Sequence, residues 1–375
     1  MMKELKIMKH KHLLLVKNPS LLLYICNMYL KGVLFFFFCY ASVIYSQYTD
    51  QINSNRPGAS VGAFSVGKNV IQSELGFSFR HYTHNGYNNS TFGGGIGFLS
   101  LRWGFISEKL EFLLDSKYLR GSLNSKIYSI NQKSIRQGFL GNFIGFKYLL
   151  FDPFKREKET NVYSWKANNG FKLREMIPAV SLTLGTNINF EKNNPFPYNN
   201  VFGNIYRPIF FQNLEIKPDQ EPFFHFGGTI ATQSHFLGTW VFVTNFNYNR
   251  YLSKYPEMSY IVTLTHTIDN YWSVYCENQA FKSDLFQDLL FRLGAAYLLS
   301  NDIQLEATFG ASTKKTPSSI LANIGVSYRL DFHKDFISAE EKQYKEFRKQ
   351  EKNLNKILKK NTKKENKKNR KAKRN

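Results

Sequence analysis

From Pro178 to Phe190 apolar and polar residues alternate. Val180, Leu182, Leu184, Ile188 and Phe190 fall on one face, and Ser181, Thr183, Gly185, Asn187 and Asn189 on the other. Side chains of a strand point alternately to its two faces, so this stripe describes a strand with one face in an apolar medium and the other toward water. The same period of two recurs along the chain. It predicts strands over Val70 to His81, Gly94 to Ile106, a third opening at Leu110, Phe139 to Leu150, and Pro178 to Phe190. After a polar insert it predicts Phe223 to Gln233, Thr239 to Asn249, Met258 to Ile268, Tyr271 to Gln279, Asp288 to Leu299, Ile303 to Ala311 and Ser319 to Phe332. An even set of about twelve short amphipathic strands makes the chain all-β and points to an antiparallel transmembrane β-barrel over residues 70–332. A soluble β-sandwich is the competing reading, but the polar faces hold too little apolar material for a dry core between two sheets.

The connections carry a second rhythm. Barrels of the bacterial outer membrane have short periplasmic turns and longer outer loops. Ser107 to Lys109, His235 to Gly238, Asp269 to Asn270 and Ser300 to Asp302 are short and fall on one side. His84 to Thr91, Leu119 to Ile135, Glu191 to Pro222, Tyr251 to Glu257, Ala280 to Phe286 and Ser312 to Pro317 fall on the other and are mostly longer. A chain that starts in the periplasm puts the short set there. Phe151 to Met176 breaks the rhythm: it is either a long periplasmic excursion or a missed strand pair in a larger barrel. Trp103, Trp240, Trp272, Tyr248 and Tyr328, near strand ends, suit interfacial aromatic belts. The last strand sets Ile324, Val326, Tyr328, Leu330 and Phe332 on one face and resembles the terminal strand that outer-membrane assembly machinery recognises.

Two apolar stretches lie before Gln47. The second, Val33 to Ser46, has the length of a signal-peptide core and is short for a transmembrane helix. Lys31 supplies a basic flank and Ser46 a small residue, so cleavage is predicted between Ser46 and Gln47, making residues 1–46 a signal peptide. A start at Met28 gives this leader the ordinary three-part layout, whereas a start at Met1 makes it unusually long; an uncleaved anchor is the rival reading. Export of this kind places the barrel in the outer membrane of a Gram-negative bacterium.

Charge changes the picture less than its size suggests. The net charge is +22 over 375 residues, but residues 333–375 hold seventeen Lys and Arg against six Asp and Glu, a balance of +11. The leader contributes a further +5, which leaves only +6 on residues 47–332. The basic character therefore sits at the ends. Residues 333–375 read as a periplasmic tail, with Tyr344, Phe347, Leu354 and Leu358 at helical spacing in the first half and a disordered basic run from Lys359. Such a tail suits anionic headgroups or an acidic envelope protein; export removes nucleic acid as a partner. Cys276 is the single cysteine after the leader, which excludes an intramolecular disulfide and a cysteine metal cluster. His225, His235 and His266 sit in no nucleophile motif, and His81 and His84 lie close together without a third ligand. An enzyme, a metal site and a bound cofactor are not expected.

The polar faces supply the candidate site. Glu74, Arg80, Glu111, Asp115, Lys147, Asn187, Asn189, Asn245, Asn247, Glu277, Arg292, Gln304, Glu306, Asn323 and Arg329 are the candidate lumen-lining residues. Mixed charges of this kind build either a selective constriction or a salt-bridged plug that stiffens the wall. Residues 47–69, with Gly58, Gly62 and Gly67, precede the first strand and are either a periplasmic leader or a segment that enters the lumen as a gate.

Asn55-Arg56-Pro57, Gly67-Lys68 and Gln72-Ser73-Glu74-Leu75-Gly76-Phe77 together resemble the opening of a bacterial outer-membrane family named for the MetA pathway of phenol degradation. Its members begin with an Asp-Arg-Pro-like element, a Gly-Lys step and a first strand of the Gln-x-Glu-x-Gly-Phe kind; Asn55 departs from the usual acid. The resemblance covers about twenty-five residues closely and implies an outer-membrane barrel that moves small molecules. The pathway name does not define the substrate. Two function classes follow: a passive pore or transporter for small solutes, and a structural or scaffold subunit of a cell-envelope assembly or secretion complex.

Overall fold

The computed structural model describes residues 51–55, 58–86, 89–127, 130–155, 173–191, 194–202, 221–332 and 347–348. The predicted leader with its cleavage site at Ser46 and Gln47, Arg56 and Pro57 of the opening motif, and nearly all of the basic tail lie outside them. Phe332–Asn375 forms a unit of its own, of which Phe332, Phe347 and Arg348 are described.

Twelve strands build the body: β1 (Val70–His84), β2 (Ser90–Ser107), β3 (Leu110–Ile127), β4 (Ile130–Phe151), β5 (Ala179–Ile188), β6 (Phe224–Phe236), β7 (Trp240–Tyr251), β8 (Glu257–Thr267), β9 (Trp272–Ser283), β10 (Gln287–Ser300), β11 (Ile303–Ser312) and β12 (Ser318–Asp331). Each pairs antiparallel with its neighbours in sequence, and β1 closes the ring on β12, from Val70↔Asp331 to Thr83↔Ser318. Closure satisfies every strand edge, which an apolar medium without hydrogen-bonding solvent requires.

The alternation sorts the faces. Leu75, Phe79, Phe146, Leu184, Phe246, Leu293 and Phe309 are exposed on the outer surface, while the intervening Glu74, Glu111, Lys147, Asn245 and Glu277 are buried. Apolar side chains outside and charges inside invert the arrangement of a water-soluble domain and fit a wall whose outer surface meets lipid. Cys276 is exposed among these outer residues, opposite Leu264 and Leu293 on the adjacent strands.

Two expectations change. The predicted outer loop Leu119 to Ile135 is largely strand: β3 and β4 continue to Ile127↔Ile130 as a long hairpin. Here the outward positions Arg120, Ser122, Asn124 and Lys126 are polar while Leu119 and Leu123 point inward, so the stripe that marks a lipid-facing strand ends although pairing goes on. In the strand predicted over Phe139 to Leu150, alternation sets Leu140 on the outer face with Ile144, Phe146, Tyr148 and Leu150, yet it packs inward in the cluster of Phe92, Ile96, Leu119 and Leu123. The ladder slips between Lys117↔Gly141 and Tyr118↔Phe139, so Leu140 is an extra residue at a bulge, and an extra residue reverses a side chain's face. Between the described residues on either side of the Phe151 to Met176 connection, β4 pairs directly with β5, so the described wall closes with twelve strands.

Candidate functional site in the barrel interior

The turns at Glu108-Lys109, Leu237 to Thr239, Ile268 to Tyr271 and Asn301-Asp302 gather at one end of the barrel, here called the inner end. Residues 51–69 start there, where the Ile52 amide donates to the Asn301 carbonyl at 2.8 Å, and end there, where the Asn69 amide donates to the Gly104 carbonyl at 2.6 Å. Between these points the segment runs inside the wall. Its sequence, Gly58-Ala-Ser-Val-Gly-Ala63, has no long side chains, so its main chain is what the wall meets.

Wall side chains bond that main chain from many sides. The Asn55 amide donates to Glu74 Oε1 of β1 at 3.1 Å. Those of Ala59 and Ser60 donate to Glu277 Oε2 of β9 at 3.0 and 3.1 Å. Asn245 of β7 takes both groups of Val61, accepting from its amide at 2.7 Å and donating to its carbonyl at 2.8 Å. Gln233 of β6 accepts from the Ala63 amide at 3.0 Å, and Glu111 of β3 from that of Val66 at 2.8 Å. The carbonyls are met by cations. Arg102 of β2 donates to Asn53 and Phe64 at 2.9 and 3.1 Å, and Lys147 of β4 to Gly62 and Phe64 at 3.1 and 2.9 Å. A segment held at once by strands from all round a closed wall is a plug.

Buried charge is tolerable only when paired, and here the pairing is dense. Glu111 lies 2.6 Å from Lys147 and 3.1 Å from Arg102, and Arg102 lies 3.9 Å from Glu74. Across the interior Glu277 pairs with Arg292, which also reaches Gln279. Phe64 closes the inner end, packing with Ala63, Leu149, Ala179 and Phe154. His235 lies against the rings of Phe64 and Phe154.

A second segment covers the other end. In residues 194–202, between β5 and β6, Phe196, Val201 and Phe202 are buried against Phe92, Ile96, Leu119 and Leu123, inward-facing residues of β2 and β3. Arg250 ties this segment to the wall. It pairs with Glu221 at 3.4 Å and Glu257 at 3.1 Å, and its guanidinium sits 5.6 Å from the centre of the Tyr198 ring. Burial pushes the Glu221 carboxyl above the usual carboxylate range, against the pull of Arg250.

The residues singled out by sequence fall into three sets. Glu74, Glu111, Lys147, Asn245 and Glu277 grip the plug, and Arg292 backs Glu277. Asn187 accepts from the Asn142 amide, Asn247 bonds Thr229 and Ser259, Arg80 donates to Ser78, and Arg329 pairs with Asp331; these bonds stay within the wall. Asp115 on β3, Gln304 on β11 and Asn323 on β12 are half-buried, Glu306 is buried beside Gly325, and Asn189 lies past the end of β5, accepting from the Glu191 amide. Arg102, Gln72, Gln233 and Arg250 are missing from the sequence-based set. Arg102, Gln72 and Gln233 share the parity of the inward faces, which was the available signal. Arg250 follows the predicted end of its strand and carried none.

A closed wall of twelve antiparallel strands, apolar outside and charged inside, makes this an outer-membrane β-barrel. Residues 54–205 and 221–330 match the family described as "Putative MetA-pathway of phenol degradation", and the chain belongs to that family. The family-like opening has a physical meaning here: Asn55 belongs to the plug, while Gln72 and Glu74 receive it. Gly76 leaves no room for a Cβ beside Phe98 and the β12 backbone. Among solved structures, the chain is similar to an outer membrane channel from Pseudomonas putida F1 (11% identity, TM-score 0.41, covering 75% of this chain and 100% of that one). It is also similar to the translocator domain of an autotransporter from Neisseria meningitidis (9%, 0.39, 74% and 90%), and to a monoaromatic hydrocarbon channel (9%, 0.35, 71% and 90%). No curated protein matches the sequence.

Proposed function

We propose that the protein is a plugged pore of the outer membrane, passing small solutes when residues 51–69 leave the interior. The observation that carries this reading is the composition of the interior. Its charged side chains hold a loop that is continuous with the wall only at Asn69, so removing the loop exposes a polar, charge-lined passage rather than an oily core. Eight-stranded barrels are filled by their own side chains and those of sixteen strands hold open water; twelve strands leave room for one extra segment. The signal peptide and the periplasmic tail belong to the same reading, because a chain that enters at the inner end must be exported first. The scaffold reading draws no support from the described residues.

Swelling of liposomes loaded with the protein, tested with neutral, anionic and cationic solutes, checks this. Gly58→Leu/Gly62→Leu places side chains where Glu277 and Gln233 now sit against the plug. It is expected to raise solute entry well above wild type. Liposomes that stay tight to every solute with both proteins would contradict the pore.

A further inference from the structure

We infer that the interior is a binding site for peptide segments of small residues, and that the plug is its resident ligand. The inference takes the position of the plug from the reading above but does not require conduction. A segment that merely filled space would pack by side chains, as Phe64 does at the inner end. From Ala59 to Ala63 the contacts are of another kind. Four successive recognition groups meet main-chain atoms: Glu277 the amides of Ala59 and Ser60, Asn245 both groups of Val61, Lys147 the carbonyl of Gly62, and Gln233 the amide of Ala63.

The bonding of Asn245 reproduces what a neighbouring strand would offer, a donor and an acceptor to one residue. These groups read a peptide backbone and not a particular sequence. Side-chain size is limited by the same geometry. A Cβ at Gly62 would lie 2.9 Å from Gln233 Oε1, and one at Gly58 would overlap Glu277 Oε2. The ligand class is therefore a peptide segment with glycine at those two positions and small residues between them. The carboxylate of Glu277 is held by Arg292 and Thr263, independently of the plug, so this part of the site persists when the plug leaves.

The test supplies the plug as a separate molecule. A labelled synthetic peptide with the sequence of residues 52–66 is titrated, by fluorescence anisotropy, into the full-length Gly58→Leu/Gly62→Leu protein in detergent. A chain lacking residues 52–63 serves as a second host, and each is checked as folded by its heat-dependent shift on gels. Saturable binding is expected, weakened by about tenfold on N-methylation at Ser60, where a carboxylate accepts. Binding should also be lost with Asn245→Ala, and unchanged by Ser60→Ala in the peptide. Two folded hosts that bind no peptide, or binding insensitive to N-methylation and to Asn245, would overturn the inference. Binding by a barrel that never conducts would retain the site and reject the pore; conduction without peptide binding would do the reverse.

Discussion

Glu111 joins two buried cations of the wall to the main chain of the plug. It faces Lys147 and Arg102 and accepts from the Val66 amide, all out of contact with water. Replacing one member of a buried ion cluster leaves the others uncompensated, at a cost of about 3–5 kcal/mol. Glu111→Gln is therefore expected to lower the midpoint of urea unfolding, and Glu111→Gln/Lys147→Met to recover part of the loss; a double variant worse than the sum would contradict the pairing. At the outer end, Glu221 predicts a pH effect. Its carboxyl is raised by burial, so the docked arrangement prefers the neutral form. The stability it contributes is present in acid and is lost as pH rises through the raised value. Hydrogen exchange, corrected for intrinsic rates, should show protection of residues 196–202 falling over that window, and Glu221→Gln should flatten the dependence. Protection that rises with pH would reject the assignment.

At the scale of elements, what was legible was what is local. Parity alone set Glu111, Lys147 and Asn245 opposite the apolar stripes, because a strand's two faces are written in successive residues. The ends of β3 and β4 were not, since beyond Tyr118 the outward positions of β3 turn polar and the apolar stripe that marks a wall strand stops there. The course of residues 51–69 has no periodic signature: glycine, alanine and serine carry no apolar stripe, and their partners lie as far away as Glu277, 218 residues along the chain. One close approach tests this course. A Cβ at Gly104 would overlap the carbonyl of Gly67, whose own φ of 95° suits glycine. Gly104→Ala should loosen the junction of plug and β1, seen as faster proteolysis within residues 58–66 while the barrel remains resistant. Unchanged proteolysis would show that the junction does not depend on that contact.

For the whole molecule, the wall and the plug follow from one constraint. Lipid outside demands a closed apolar surface, closure turns the alternate side chains inward, and inward charges need partners. Some of those partners are other wall residues and some are the main chain of residues 53–66. An interior that satisfies its charges with a removable segment can be opened without rebuilding the wall. The outer segment under Arg250 gives a second, independent cover, so removing one alone leaves the passage partly obstructed. The most direct measurement is single-channel recording in planar bilayers of wild-type protein beside Gly58→Leu/Gly62→Leu. Wild type is predicted to show small or rare openings, and the variant larger and longer ones, with discrete steps. A variant as silent as wild type, folded and inserted, would contradict the plugged pore.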